Sequence, residues 1–230
     1  MRKPSNGKLI VIEGASDGIG KTTQFDLLHN HLKSDGHKIV THHFPTYYSY
    51  QGKAVEKYLA GEYGNPDSLS PYFVNNLYAN DRAITWHIKL RSEFEKGRWI
   101  LLDRYTTSSM IYQSASIEDL KTKKNFLNFV EDYEYNKLGI GQPDIVIFLH
   151  APFDLVTKLR QARKHNDGVS NDIHEKNINF LRKVYENSML VADYFGWEKI
   201  KCCNDAETQI LTPEKIHQKI YQSLLKLRES

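Results

Sequence analysis

Residues 9–24 constrain this chain most: the apolar run Leu9-Ile10-Val11-Ile12 passes into Glu13-Gly14-Ala15-Ser16-Asp17-Gly18-Ile19-Gly20-Lys21-Thr22-Thr23-Gln24. A buried strand that meets Gly-Lys-Thr within a few residues predicts a strand, a tight loop and a helix beginning at Lys21. The glycines let backbone N–H groups converge on a polyphosphate, the Lys21 ammonium reaches its terminal phosphates, and the Thr22 hydroxyl can ligand Mg²⁺. The positive end of the helix dipole acts in the same direction. Five residues separate Gly14 from Gly20, one more than this motif commonly has. Either the loop is longer, or Ala15 stands where the first glycine usually does. We favour Ala15, which requires a negative φ there. An ordinary glycine-rich turn is the bland alternative, opposed by the agreement of strand, Gly-Lys-Thr and helix.

With 230 residues, 40% of them hydrophobic, the chain can bury one substantial core, and no Pro/Gly/Ser-rich linker divides it, so one domain over 1–230 is expected. A net charge of +3 is too small to indicate a nucleic-acid or membrane partner. No apolar run approaches the roughly 20 residues of a membrane span, and the N-terminus lacks the apolar core of a secretory signal; a soluble, cytoplasmic protein is expected. Cys202 and Cys203 are neighbours in an expected strand, so they point to opposite faces, pair badly and suit a reducing compartment. His29 and His31 lie two apart on an expected helix, and His42 and His43 alternate across a strand; neither pair shares a zinc ion easily.

Apolar runs at 8–13, 38–44, 98–103, 144–149 and 198–203 alternate with helical spacing, which predicts an α/β fold: a parallel sheet with helices on both faces. Gly36 closes the first helix, Ser70-Pro71 opens a long one ending near Gly97, and Thr212-Pro213 opens the last. Open sheets of this kind bind ligands at the carboxyl ends of their strands. Asp103-Arg104 stands at one such end, where the carboxylate can hold Mg²⁺ directly or through water and the guanidinium can grip a phosphate. A structural Asp–Arg pair is the plainer alternative. On the helix from Pro71, an apolar stripe of Phe73, Leu77, Ile84 and Ile88 is broken by Asn80 and Asp81. Tyr78 and Arg82, one turn apart, can grip one planar group, or else Tyr78 packs in the core and Arg82 is a solvated charge. Lys158, Arg160, Arg163, Lys164 and His165 precede Asn166-Asp167-Gly168, as suits a lid over phosphates at about 160–175, or a solvated basic helix face.

Taken in order, these motifs resemble thymidylate kinase, a nucleoside monophosphate kinase family of the P-loop class. The resemblance spans essentially the whole chain: Glu13-Gly14 with Asp17 to Gln24, Phe44-Pro45, Tyr78 with Arg82, Asp103-Arg104-Tyr105 followed by Ser108 and Tyr112-Gln113, Pro143-Asp144, and the lid boundary from Asp172 to Glu175. It implies a three-layer fold on a five-stranded parallel sheet with a lid, ATP and Mg²⁺, phosphorylation of dTMP to dTDP, and a homodimer packed through helices. It further implies that the phosphate loop (13–23), with Ala15 to Thr23, holds ATP, with Lys21 and Thr22 on the nucleotide and its Mg²⁺, and Asp103 in the outer shell of the ion. Asp17 is implied at the sugar 3′-hydroxyl, Tyr78 against thymine, Arg82 at a base carbonyl and Gln113 as a further base contact. Arg104 is implied at the acceptor phosphate, with Phe44 and Ser108 in the same pocket and Tyr112 against a ribose 2′-hydroxyl. Gly18 stands where some relatives carry a loop arginine, so the resemblance draws the catalytic cation from the lid, with Arg163 ahead of Arg160.

The departures are specific. Many relatives read Phe-Pro-x-Arg, whereas this chain has Phe44-Pro45-Thr46-Tyr47, and Ile173 stands where relatives often have arginine. The alternatives are therefore a kinase for another deoxynucleoside monophosphate, a deoxynucleoside kinase using Glu13 or Asp103 as base, and a nucleotide-binding interaction protein without turnover.

Overall fold

The computed structural model of the protein describes residues 7–164 and 178–229. Five parallel strands, β1 (Leu9–Gly14), β2 (Ile39–His43), β3 (Trp99–Asp103), β4 (Ile145–His150) and β5 (Glu198–Lys201), form one sheet in the order β2-β3-β1-β4-β5. All five fall on the apolar runs. β1 and β3 are buried throughout, which accounts for their unbroken aliphatic sequences.

Alternation along each strand divides the core between two faces. Ile10, Ile12, Leu101, Ile147 and Leu149 pack with Leu28 and Leu32 of α1 (Lys21–Ser34) and with Ile216, Ile220 and Leu224 of the last helix, Pro213–Glu229. On the other face, Leu9, Val11, Ile100 and Leu102 meet Trp86 and Leu90, at the end of the long helix that begins with α2 (Pro71–Thr85). Phe148 joins Met110 and Ile111 of a helix at Thr106–Ser114, Phe126 of one at Leu120–Glu131, and Val184 and Val191 of one at Ile178–Tyr194. Three layers result, with both faces of the sheet covered by helices.

Two helices carry a widened π turn, at Trp86–Leu90 and at Asp132–Lys137. In the second, Glu134 is completely buried.

Two expectations are corrected. The strand ends at Lys201, short of the two cysteines; the Cys202 N–H still donates to the His150 carbonyl at 2.8 Å, Cys203 bridges antiparallel to Ile210, and both free thiols are buried in one apolar cluster rather than divided between the sheet faces. Burial pushes the Cys202 thiol up to about 12. The stripe on α2 is also only partly its buried face: Leu77 is buried, but Phe73 is 44% and Ile88 64% exposed, while Asp81, Arg82 and Thr85 are buried. Those polar side chains turn inward because each finds a partner there.

The interior is tight where Tyr105 enters it. The Tyr105 hydroxyl donates to the Gly141 carbonyl at 3.0 Å, and a Cβ on Gly141 would overlap the buried ring of Trp86. Gly141→Ala is expected to destabilise the fold by about 1–3 kcal/mol in urea unfolding, the usual range for overpacking a filled core; unchanged stability would show that Trp86 is not held there.

Candidate active site

The loop after β1 adopts the backbone its glycines permit. Gly18 and Gly20 have φ of 92° and 98°, in the left-handed region that a side chain rarely tolerates. Ala15 has no such φ; its N–H donates to the Leu149 carbonyl at 2.9 Å and prolongs the pairing of β1 with β4. Ile19 turns into the core over Gly14, where a Cβ would lie 2.9 Å from Ile19 Cγ2. Ser16 Oγ is buried and, among the described residues, has no hydrogen-bond partner. Lys21 begins α1 and pairs with the carboxylate of Asp103, while Thr22 and Thr23 are exposed on the first helical turn.

Asp103 and Arg104 end β3 and serve opposite sides of the site. The Asp103 carboxylate receives Lys21 on one oxygen and lies 2.9 Å from His43 Nδ1 on the other. Burial alone would raise its pKa, but the His43 hydrogen bond and the Lys21 charge prevail and hold it at about 2. Arg104 takes φ 65°, its N–H reaching back to the Ile12 carbonyl at 3.2 Å. That turn sends its guanidinium onto Asp17, with Glu13 at 3.9 Å, Ser108 Oγ at 3.5 Å and the Tyr112 ring centroid at 5.7 Å. Burial works against its charge, yet Asp17, Tyr112 and Glu13 raise the pKa well above the ordinary arginine value. Glu13 is itself anchored, accepting from the Gly14 N–H, Thr107 Oγ1 and Ser108 Oγ.

A cleft opens beside Arg104. Asp17, Phe44, Tyr78, Arg82, Arg104, Ser108, Tyr112 and Gln113 all line it, so every acceptor-side residue singled out from the sequence meets in one cavity. Tyr78 sits edge-on to Tyr58 with centroids 6.2 Å apart, and Phe44 is buried against Tyr105. Arg82 is neither a solvated charge nor loose: it is fully buried and forked onto Glu134. Gln113 Oε1 is buried and, among the described residues, without a partner.

His43, Tyr47, Leu59, Tyr105, Ser109 and Leu181 also line the cleft and were not singled out as site residues. His43 had a legible signal, since it directly precedes Phe44-Pro45 at a strand end; Leu59 and Leu181 had none, being ordinary helical leucines. Arg163 lies in the helix Phe153–Lys164, but its side chain and the lid residues 165–177 fall outside the described residues.

The loop after β2 is fixed to α2 by a partly buried network. The Thr46 N–H donates to Asp81 Oδ2 at 2.6 Å, and Thr46 Oγ1 lies 3.0 Å from His42 Nε2 and 3.3 Å from Thr85 Oγ1. Burial, reinforced by Lys89 and His43, lowers the His42 pKa from 6.5 to about 4. The unfolded chain therefore takes up a proton that the folded one refuses, so stability is full above about 6.5 and falls as pH drops toward about 4. At ~1.4 kcal/mol per pKa unit the loss is bounded by ~3 kcal/mol, less whatever solvent screens. Urea unfolding at several pH values is expected to show this slope in the parent chain and a flatter one in His42→Gln; equal slopes would contradict the assignment.

The sequence profile of the family described as thymidylate kinase matches residues 12–220. A thymidylate kinase of Plasmodium falciparum (isolate 3D7) is 29% identical over 225 residues, covering 96% of this chain and 91% of its own. One of Prochlorococcus marinus (strain MIT 9515) is 30% identical over 228 residues, covering 96% and 97%. The solved structure of thymidylate kinase from Candida albicans superposes with a TM-score of 0.71 at 21% identity, over 96% of this chain and 92% of that one.

Proposed function

This chain belongs to the thymidylate kinase family, and from that premise we propose that it transfers the terminal phosphoryl group of ATP to dTMP, yielding dTDP and ADP. The observation that carries the substrate reading is the convergence of the Arg104 guanidinium with Tyr78, Arg82 and Gln113 on one cleft. Arg104 takes the acceptor phosphate. Asp17, beside it, takes the sugar hydroxyl, and the bulk of Tyr112 fills the space a ribose 2′-hydroxyl would need. Tyr78 stacks on the base, with Phe44 and Ser108 completing the walls. Arg82 can only donate, and Gln113 Oε1 is a buried acceptor with no partner among the described residues. A thymine edge offers the complement, a carbonyl oxygen and an imide N–H, whereas cytosine presents the reverse pattern.

On the donor side, the N–H groups of residues 15–23 and the Lys21 ammonium cradle the ATP phosphates, and Ser16 Oγ is available to donate among them. The residues present also suit Mg²⁺: Thr22 carries an exposed hydroxyl on the first turn of α1, and the Asp103 carboxylate stands ready as an outer-shell acceptor. No described cluster of three His, Cys, Asp or Glu could hold a metal, so such an ion would take most of its ligands from phosphate and water. When bound, it neutralises charge on the bridging phosphates.

The reaction needs no general base, because a phosphate monoester with a second pKa near ~6 already presents an ionised oxygen at neutral pH. What the chain supplies is alignment and positive charge. Lys21, released from Asp103 onto ATP, steadies the donor; Arg104 steadies the acceptor; Arg163 of the lid is the proposed cation over the transferred group. A cytoplasmic homodimer completes the reading, with the exposed Phe73 and Ile88 of the long helix covered by a second copy.

Coupled ADP-release assays over nucleosides and nucleoside monophosphates are expected to give the highest kcat/KM with dTMP; turnover of a nucleoside instead, or none, would overturn the reading. Lys21→Ala and Arg104→Gln are each expected to lower kcat by about 10²–10³, as for loss of one transition-state donor, with each variant still folded at the assay temperature. Ile88→Glu is expected to shift the sedimenting species from dimer to monomer; an unaltered mass would place the interface elsewhere.

A further inference from the structure

Arg82 is 2% exposed, yet it lines the acceptor cleft. A guanidinium so placed needs a countercharge and partners for five N–H donors. Glu134, completely buried in the π turn Asp132–Lys137, provides the charge: its Oε2 accepts from Arg82 Nε at 2.6 Å and its Oε1 from Nη2 at 2.7 Å. Ser109 Oγ accepts from Nη2 at 2.8 Å, with Asn75 Oδ1 at 3.5 Å. Nη1 makes one contact among the described residues, a long one of 3.4 Å to the Tyr105 carbonyl. The Nε and Nη2 edge is thus occupied by protein, and the donor capacity left over sits on Nη1.

Geometry separates Glu134 from the ligand. It does not line the cleft, and among the described residues its carboxylate hydrogen-bonds to Arg82 alone. The planar fork fixes the rotation of the guanidinium, which a point charge or a single hydrogen bond would leave free. Lysine at position 82 could not keep that orientation. A carboxylate elsewhere near the arginine could neutralise it without aiming it.

We propose that Glu134 is a positioning residue for base recognition, whose two-point grip on Arg82 aims the Nη1 edge at a pyrimidine carbonyl and so sets the preference for thymine over cytosine. This rests on the dTMP reading above. Glu134 touches no substrate, so its effect belongs in the KM for the nucleotide acceptor and in the choice of base rather than in the phosphoryl transfer itself. The KM for ATP is untouched.

The test is steady-state kinetics on the full chain with dTMP and dCMP, alongside thermal melting, for Glu134→Gln, Arg82→Met and the double variant Arg82→Met/Glu134→Met. Glu134→Gln is expected to raise the KM for dTMP about tenfold or more and to lower the dTMP-to-dCMP ratio of kcat/KM similarly, with kcat within about threefold. Removing one half of a buried pair can unfold a protein, whereas removing both charges together is often tolerated, so the double variant keeps the test decisive. Its KM for dTMP is expected to equal that of Arg82→Met, because a residue acting through Arg82 has nothing left to do once Arg82 is gone. Glu134→Gln that melts earlier but keeps the parental KM and base ratio would overturn the inference, as would a double variant with a KM well above that of Arg82→Met. If the parent chain turns over no dTMP, the substrate reading itself fails; parental dTMP turnover with an unaltered Glu134→Gln refutes the positioning role alone.

Discussion

Two consecutive charged residues at the end of β3 face opposite ways, and the site is organised around that divergence. Asp103 continues the strand direction and meets Lys21 from the phosphate loop. One residue later the backbone turns left-handed, at φ 65°, and Arg104 projects toward Asp17 and the cleft. A non-glycine residue in that conformation costs on the order of 1 kcal/mol. The cost is offset by the hydrogen bond from its N–H to Ile12 and by the acids gathered around the guanidinium. The central position of β1 in the sheet makes the arrangement possible, since it places the phosphate loop and the end of β3 side by side.

Paired charges recur throughout this region. Lys21 with Asp103, Arg104 with Asp17 and Arg82 with Glu134 are all partly or fully withdrawn from water. Such pairs are weak contributors to stability, because desolvation consumes most of their attraction. Their value here is orientation: each holds a cationic side chain in one geometry, and Arg82 and Arg104 line the cleft. The Asp103 and Arg104 carboxylate and guanidinium remain charged across the neutral range, as their shifted pKa values require. The proposed chemistry depends on that fixed charge rather than on proton transfer.

Much of this was legible from residue order. All five strands coincide with apolar runs, and α1, α2 and the last helix start within Gly-Lys-Thr, Ser-Pro and Thr-Pro. The eight acceptor-side residues were named from motif resemblance, and they meet in one cleft because each sits at a strand end or on a helix facing it. What stayed hidden has physical reasons. Glu134 lies some fifty residues from its partner, in a run of polar residues that reads as solvated surface, and only folding brings a buried arginine to it. Phe73 and Ile88 read as core because periodicity reports apolar faces without saying what covers them. The run at 198–203 does not mark where the strand stops, and the placement of Cys202 and Cys203 is set beyond Lys201 by the antiparallel bridge of Cys203 to Ile210.

The central claim is spatial: phosphate at Arg104 and base between Tyr78 and Arg82, within one cleft beside the phosphate loop. A crystal structure of the chain with dTMP and a non-hydrolysable ATP analogue tests it most directly. The account predicts the dTMP phosphate within hydrogen-bond distance of the Arg104 guanidinium, the pyrimidine on the Tyr78 ring, and the analogue's phosphates against the N–H groups of residues 15–22 with Lys21 turned from Asp103 toward them. A dTMP phosphate bound away from Arg104, or a nucleotide that leaves the cleft empty, would contradict it.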